Sequence, residues 1–170
     1  MPPRDFSIVY DEHVWHVYGF FAYRLRSRAD AEDLTQMTFE RALRAYARYD
    51  ETLASVGTWL IAIARNLLID HLRSDRGADQ RPVDELPEPL LPAVVDHHRI
   101  GLDPELERAL TTLSDREREL IAMRFGGDLS GPEIAALTGL TLANVQQLLS
   151  RSLRRMRASM EAAHAAEVRS

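Results

Sequence analysis

The residues best suited to chemistry lie in segment 129–151, LSGPEIAALTGLTLANVQQLLSR. Ala135 stands four residues before Gly139, and Val145 six after it. A helix-turn-helix needs these types at these places: a small side chain where two helices cross, a glycine for a left-handed turn, and a β-branched anchor in the second helix. Arg151, Arg154, Arg155 and Arg157 follow within two helical turns. Several of these guanidinium forks can reach phosphates from one side of a helix. Taken alone, the first feature fits any two amphipathic helices and the second any solvated face. Together they read as a DNA footprint.

Other chemistries find little support. The 170 residues include no cysteine, which removes disulfides, thiol nucleophiles and the usual structural zinc sites. His13 and His16 are spaced i, i+3, and His97 and His98 are adjacent, but no acid pattern of fixed spacing accompanies them. No metal site and no cofactor are expected. No nucleophile elbow, phosphate loop or paired-carboxylate motif is visible, so the chain is not expected to be an enzyme. All 21 basic residues are Arg, against 26 acids and a net charge of −5. The acidic total argues mildly against a general nucleic-acid coat, but the local distribution of charge matters more. No apolar run approaches the roughly 18 residues of a membrane span. The N-terminus MPPRDFSIVYDEHVWHVY mixes acids and His where a signal peptide is apolar. A cytoplasmic protein without membrane insertion is expected.

The elements that position these residues read as all-α. Phe6, Val9, Tyr10, Val14, Val17, Tyr18 and Phe21 form one apolar stripe at helical spacing. After a break at 27–30, Leu34, Thr38, Ala42, Leu43 and Tyr46 share a face of a second helix. A third runs from about Thr58 to Arg73, with Leu60, Ile63, Ala64, Leu67, Leu68 and Leu72 inward. Pro104 opens a further helix; Ser114 with Glu117 makes a capping box for the next, which ends at Gly126-Gly127. Ser130 and Thr141 cap the last two, the final one reaching about residue 160. Between the halves, residues 75–104 hold seven acids, three Arg and five prolines with no helical period. The chain therefore divides into two small helical domains, 1–74 and 105–170, joined by an extended acidic Pro-containing linker, 75–104.

At this level the sequence resembles the extracytoplasmic-function (ECF) group of bacterial RNA polymerase sigma factors. The resemblance rests on DAEDLTQMTFERALRAYARYD and TWLIAIARNLLIDHLR in the first half, and on LTTLSDRERELIAMRF with the helix-turn-helix in the second. It implies that the first domain binds core polymerase at the β′ coiled coil, with Asp33, Gln36 and Arg41 at the matching positions. It implies that Tyr49, Trp59, Arg65, Asn66 and Arg73 recognise and open the −10 promoter element, Asn66 reading a base. Flipped bases need a pocket, and strand opening needs aromatic and cationic contacts to the freed strand. The second domain, which in the family also meets the β flap, would place Thr141, Asn144, Gln146, Gln147, Ser150 and Arg151 at the −35 element, with Arg154 and Arg155 on phosphates.

The resemblance further implies an anti-sigma factor as regulator, and a linker threading the polymerase cleft. The sequence departs from the family pattern at Met37 (commonly Glu), Val56 (often aromatic), and Gln146 and Leu148 (commonly basic). The last two losses imply weaker phosphate binding, and Gln favours adenine. They keep two alternatives open: a sigma-like adaptor, or a stand-alone helix-turn-helix regulator.

Overall fold

The computed structural model describes residues 4–77 and 102–170, and the described residues are helical with no strand. Seven α-helices follow in order: α1 Phe6–Arg24, α2 Arg28–Ala45, α3 Val56–Gly77, α4 Pro104–Leu110, α5 Asp115–Ile121, α6 Gly131–Thr138 and α7 Leu142–Val168. A 3₁₀ turn, Tyr46–Arg48, prolongs α2, and a π-helical turn, Ala122–Gly126, prolongs α5.

Local chemistry accounts for the helix starts. Asp5, Ser27, Asp103 and Thr141 each accept a hydrogen bond from a first-turn backbone N–H. Ser114–Glu117 and Ser130–Glu133 form complete capping boxes. Gly139 closes α6 at φ +74°, the left-handed conformation that the sequence assigned to it.

Three boundaries differ from the sequence reading. The third helix starts at Val56 and continues to Gly77. The last helix runs to Val168, because the Ala-rich segment past residue 160 holds no helix breaker. Leu43, expected to face inward, is 58% exposed; Phe39 takes its place in the core. The remaining expectations for the linker, residues 78–101 and with them His97 and His98, lie outside the described residues.

Helix α1 sits at the centre. Its stripe of Val9, Val14, Val17, Tyr18 and Phe21 is buried, as the spacing indicates, but Phe20 is buried too. A helix apolar on two sides is covered on two sides. One side packs on α2 and α3, the other on the π turn. Gly19 and Gly126 make this second contact possible. A Cβ on Gly126 would lie 2.6 Å from the carbonyl carbon of Gly19, and one on Gly19 would lie 2.8 Å from the Gly126 oxygen. The backbones touch, so neither position has room for a side chain.

As a result, the two helical units share one apolar core in this arrangement. Phe20, Phe21, Leu60 and Ile61 of the first unit belong to the same cluster as Leu120, Met123, Ile134 and Val145 of the second. A smaller cluster of Ala109, Leu110, Ile121 and Met156 joins α4, α5 and α7. Each fully buried large apolar side chain contributes about 1.5–3 kcal/mol. An exposed ion pair contributes about 0–1 kcal/mol. Apolar burial is therefore the larger contribution holding the units together, with side-chain contacts such as Arg65–Glu119 added to it.

Candidate nucleic-acid interface

The first group of candidates lies on α2. Asp33 and Arg41 are exposed and Gln36 is half-buried. Asp33, Met37 and Arg41, spaced by four, line a groove of about 230 Å³ between α2 and α3, with Asp70 and His71 on its far wall. Met37 is more than a third exposed, so this residue adds apolar surface between two charged ones.

The second group surrounds the start of α3. Tyr46, Tyr49 and Trp59 form an aromatic patch: Tyr46 stacks on Tyr49 at 6.1 Å, and Tyr49 meets Trp59 at 4.8 Å. The Tyr49 hydroxyl donates to the Ala54 carbonyl at 2.8 Å and so closes the 49–55 loop. Burial, with Glu51 and Asp50 nearby, pushes this phenol up, so it stays a neutral donor. Trp59 is half-buried, serving both core and surface. Leu53, at the tip of the loop, is 84% exposed. Asn66 and Arg73 are exposed farther along α3. The patch offers stacking surface, and Asn66 offers an amide edge to a base.

The third group is on α7. Thr141 caps this helix through Asn144 N–H at 3.1 Å. Thr141, Asn144, Gln146, Gln147, Ser150, Arg151 and Arg154 are all exposed, while Val145 is fully buried beneath them. The helix-turn-helix thus presents its polar face to solvent from a fixed anchor. Arg155 differs, because its Nη1 pairs with Glu117 Oε2 at 2.8 Å and ties α7 to α5. Leu148 packs against the core, so its side chain does not occupy the place of a phosphate-binding cation.

One candidate is already engaged. Arg65 Nε pairs with Glu119 Oε1, and its Nη1 donates to the Leu137 carbonyl at 3.2 Å. Both partners belong to the second unit. Nearby, Glu133 Oε1 accepts hydrogen bonds from Ser55 Oγ and Thr58 Oγ1, each at 3.0 Å. Its other oxygen accepts from Ser130 N–H at 2.7 Å. Burial alone would raise this carboxyl; the bonds from Ser130, Thr58 and Ser55 outweigh it and hold Glu133 below its ordinary value. Sequence reasoning named Ser130 as the cap of α6 and singled out Glu133 neither for the capping box nor for its contact with α3. For Glu119, Ser55 and Thr58 only the local contacts could be read from sequence; the partners that join the units lie more than fifty residues away.

Two family models match the chain, one in each helical unit. The family model described as Sigma-70 region 2 matches residues 9–77, and that described as Sigma-70, region 4 matches residues 104–156. The chain is similar to the ECF RNA polymerase sigma factor RpoE of Cereibacter sphaeroides, 31% identical over 156 residues, covering 91% of this chain and 86% of that protein. It is also 31% identical over 160 residues to the ECF RNA polymerase sigma factor BldN of Streptomyces coelicolor. That match covers 88% of this chain but only 58% of BldN. Among solved structures, the sigma factor RpoE of Bartonella quintana, crystallised with the anti-sigma factor NepR, shares the fold. The TM-score is 0.71 at 21% identity, covering 93% of this chain and 98% of that one.

Proposed function

The chain belongs to the ECF sigma factors, a group of non-enzymatic transcription initiation factors, and on that premise we propose how its residues do the work. It binds core RNA polymerase through the α2 groove, with Asp33, Gln36 and Arg41 as the polar contacts. The aromatic patch, Asn66, Arg65 and Arg73 then read and hold the opened −10 element. The face of α7 from Thr141 to Arg151 enters the major groove at the −35 element, with Arg154 on phosphate. Residues 1–74 and 105–170 act as separate working units in that state. Polymerase does the chemistry, in the cytoplasm, and the chain supplies position and strand selection.

The observation that carries this reading is the pairing of surfaces. A stacking patch with an exposed amide lies on one unit, and a solvent-facing helix-turn-helix helix on the other. In the packed arrangement Arg65 is engaged by the second unit and is not free for DNA. The units part when polymerase and promoter engage. An anti-sigma factor then regulates by favouring the packed state; that such a partner exists for this chain is suggested by a structural relative crystallised with the anti-sigma factor NepR.

A second reading has one observation in its favour. The α7 face is open while Arg65 is tied down, which suits a stand-alone duplex binder. Run-off transcription with sigma-free core polymerase and a pool of random promoters separates the two. Initiation enriched for two spaced elements supports a sigma factor. Duplex binding without any initiation supports the regulator.

A further inference from the structure

A cavity of about 270 Å³ lies where the end of α1 meets α4 and α5. Its floor is apolar, made by Ala22, Leu25 and Leu102. Its rim carries Arg26, Arg108 and Arg118, with Glu107 as the one carboxylate. Arg24 lies close enough to Arg118 for the two charges to repel, and Arg26 adds to that repulsion.

The hydrogen bonds of these four arginines do not neutralise them. Arg118 Nε donates to the Tyr23 carbonyl at 2.9 Å, and Arg24 Nη1 to the Asp115 carbonyl at 3.0 Å. Arg108 Nε reaches only the Pro104 carbonyl, at 3.3 Å. Arg24 Nε is buried without a partner. Among the described residues none of the four forms an ion pair, whereas Arg28, Arg65, Arg116 and Arg155 each do. Burial first, then the charges of Arg24 and Arg26, push the Arg118 guanidinium down, against the opposing pull of Asp115 and Glu107. Arg118, half-buried beside other cations, carries a desolvation cost that an oxyanion next to it offsets, while the exposed Arg26 and Arg108 supply further donors at the edge of the cavity. Guanidinium forks match phosphate oxygens two at a time. The cavity is too small for a folded partner.

We propose that this junction is a binding site for a small soluble anion bearing a diphosphate group, held by Arg26 of one unit and by Arg108 and Arg118 of the other. Because its ligands come from both units, the anion binds the packed arrangement and is released when the units part. Its effect on promoter engagement, a small-molecule brake, rests on the function proposed above; the binding itself does not.

The test is calorimetric titration of inorganic pyrophosphate into the full chain at fixed ionic strength. One-to-one binding is expected. A variant carrying Arg26→Ala and Arg108→Ala should bind at least about ten-fold more weakly, because two of the three guanidinium donors are removed. Both side chains are exposed, so the fold survives, which circular dichroism checks. Arg44→Ala, an exposed cation on α2, should leave binding unchanged. No heat beyond that of matched chloride, or equal binding by the double variant, overturns the site. A fourth chain carries Asp84→Asn, Glu85→Gln, Glu88→Gln and Asp96→Asn. If only that chain binds pyrophosphate, the protein's own acidic segment fills the cavity and the proposal fails. Pyrophosphate binding by a chain that directs no transcription would leave the site standing and sink the function; transcription without binding would do the reverse.

Discussion

Arg65 and Asn66 are neighbours on α3 and meet opposite fates. Asn66 is exposed and free to meet a base; Arg65 is held by Glu119 and the Leu137 carbonyl. Asn66→Ala is therefore expected to cut open-complex formation about ten-fold or more while leaving core binding intact. Permanganate footprinting beside a core-binding titration checks both halves of that statement. Undiminished opening across several promoters would remove Asn66 from the reading role. Glu119→Gln should act the other way: freeing Arg65 should raise single-strand promoter binding about two- to five-fold in a filter assay, with its salt slope steepened by about one unit. At this scale the sequence was informative where the constraint is local. Gly139, Val145 and the Thr141 cap follow from the geometry of two crossing helices, and all three are in place. The partners of Arg65, Thr58 and Arg155 were not legible, because a side chain that reaches across the fold leaves no periodic trace.

The same contrast holds for elements. Helix existence and capping were readable from apolar spacing and from S-x-x-E boxes, whereas α1 was under-read. One stripe was visible, but Phe20 and Gly19 form a second contact face that period counting assigns to solvent. Gly126 looked like a helix terminator and is also a point of backbone contact. The contact of α3 with α6 has a pH signature. Glu133 is depressed in the fold, so its contribution is present above its ordinary 4.5 and is lost as pH falls through the lower folded value. His13, beside Gly57 at the start of α3, is depressed by burial and by His16. Its contribution is present above 6.5 and declines as pH falls below that. Both losses run toward acid. Thermal midpoints measured from pH 7.5 to 3 should fall in two stages, one below 6.5 and one below 4.5. Glu133→Gln should flatten the second stage, and a profile unchanged by that substitution would contradict the assignment.

For the whole molecule the central fact is that the two helical units, each carrying one of the proposed surfaces, share one core. Gly126→Val places side-chain atoms against the backbone of Gly19 and Phe20, which has no flexible end to yield. Overpacking of this kind costs about 1–3 kcal/mol. The units are expected to separate: the radius of gyration in solution scattering should rise and the thermal midpoint should drop by about 2–4 °C per kcal/mol lost. Core binding should be retained, since the α2 groove lies away from this contact. An unchanged scattering profile would mean that the packed state does not depend on the glycine contact. The most direct test of the account is equilibrium binding of the purified chain to sigma-free core RNA polymerase at moderate salt, alongside Asp33→Arg. The account predicts tight one-to-one binding, weakened at least ten-fold by the charge reversal in the α2 groove. No binding by a demonstrably folded chain, or equal binding by the variant, would contradict it.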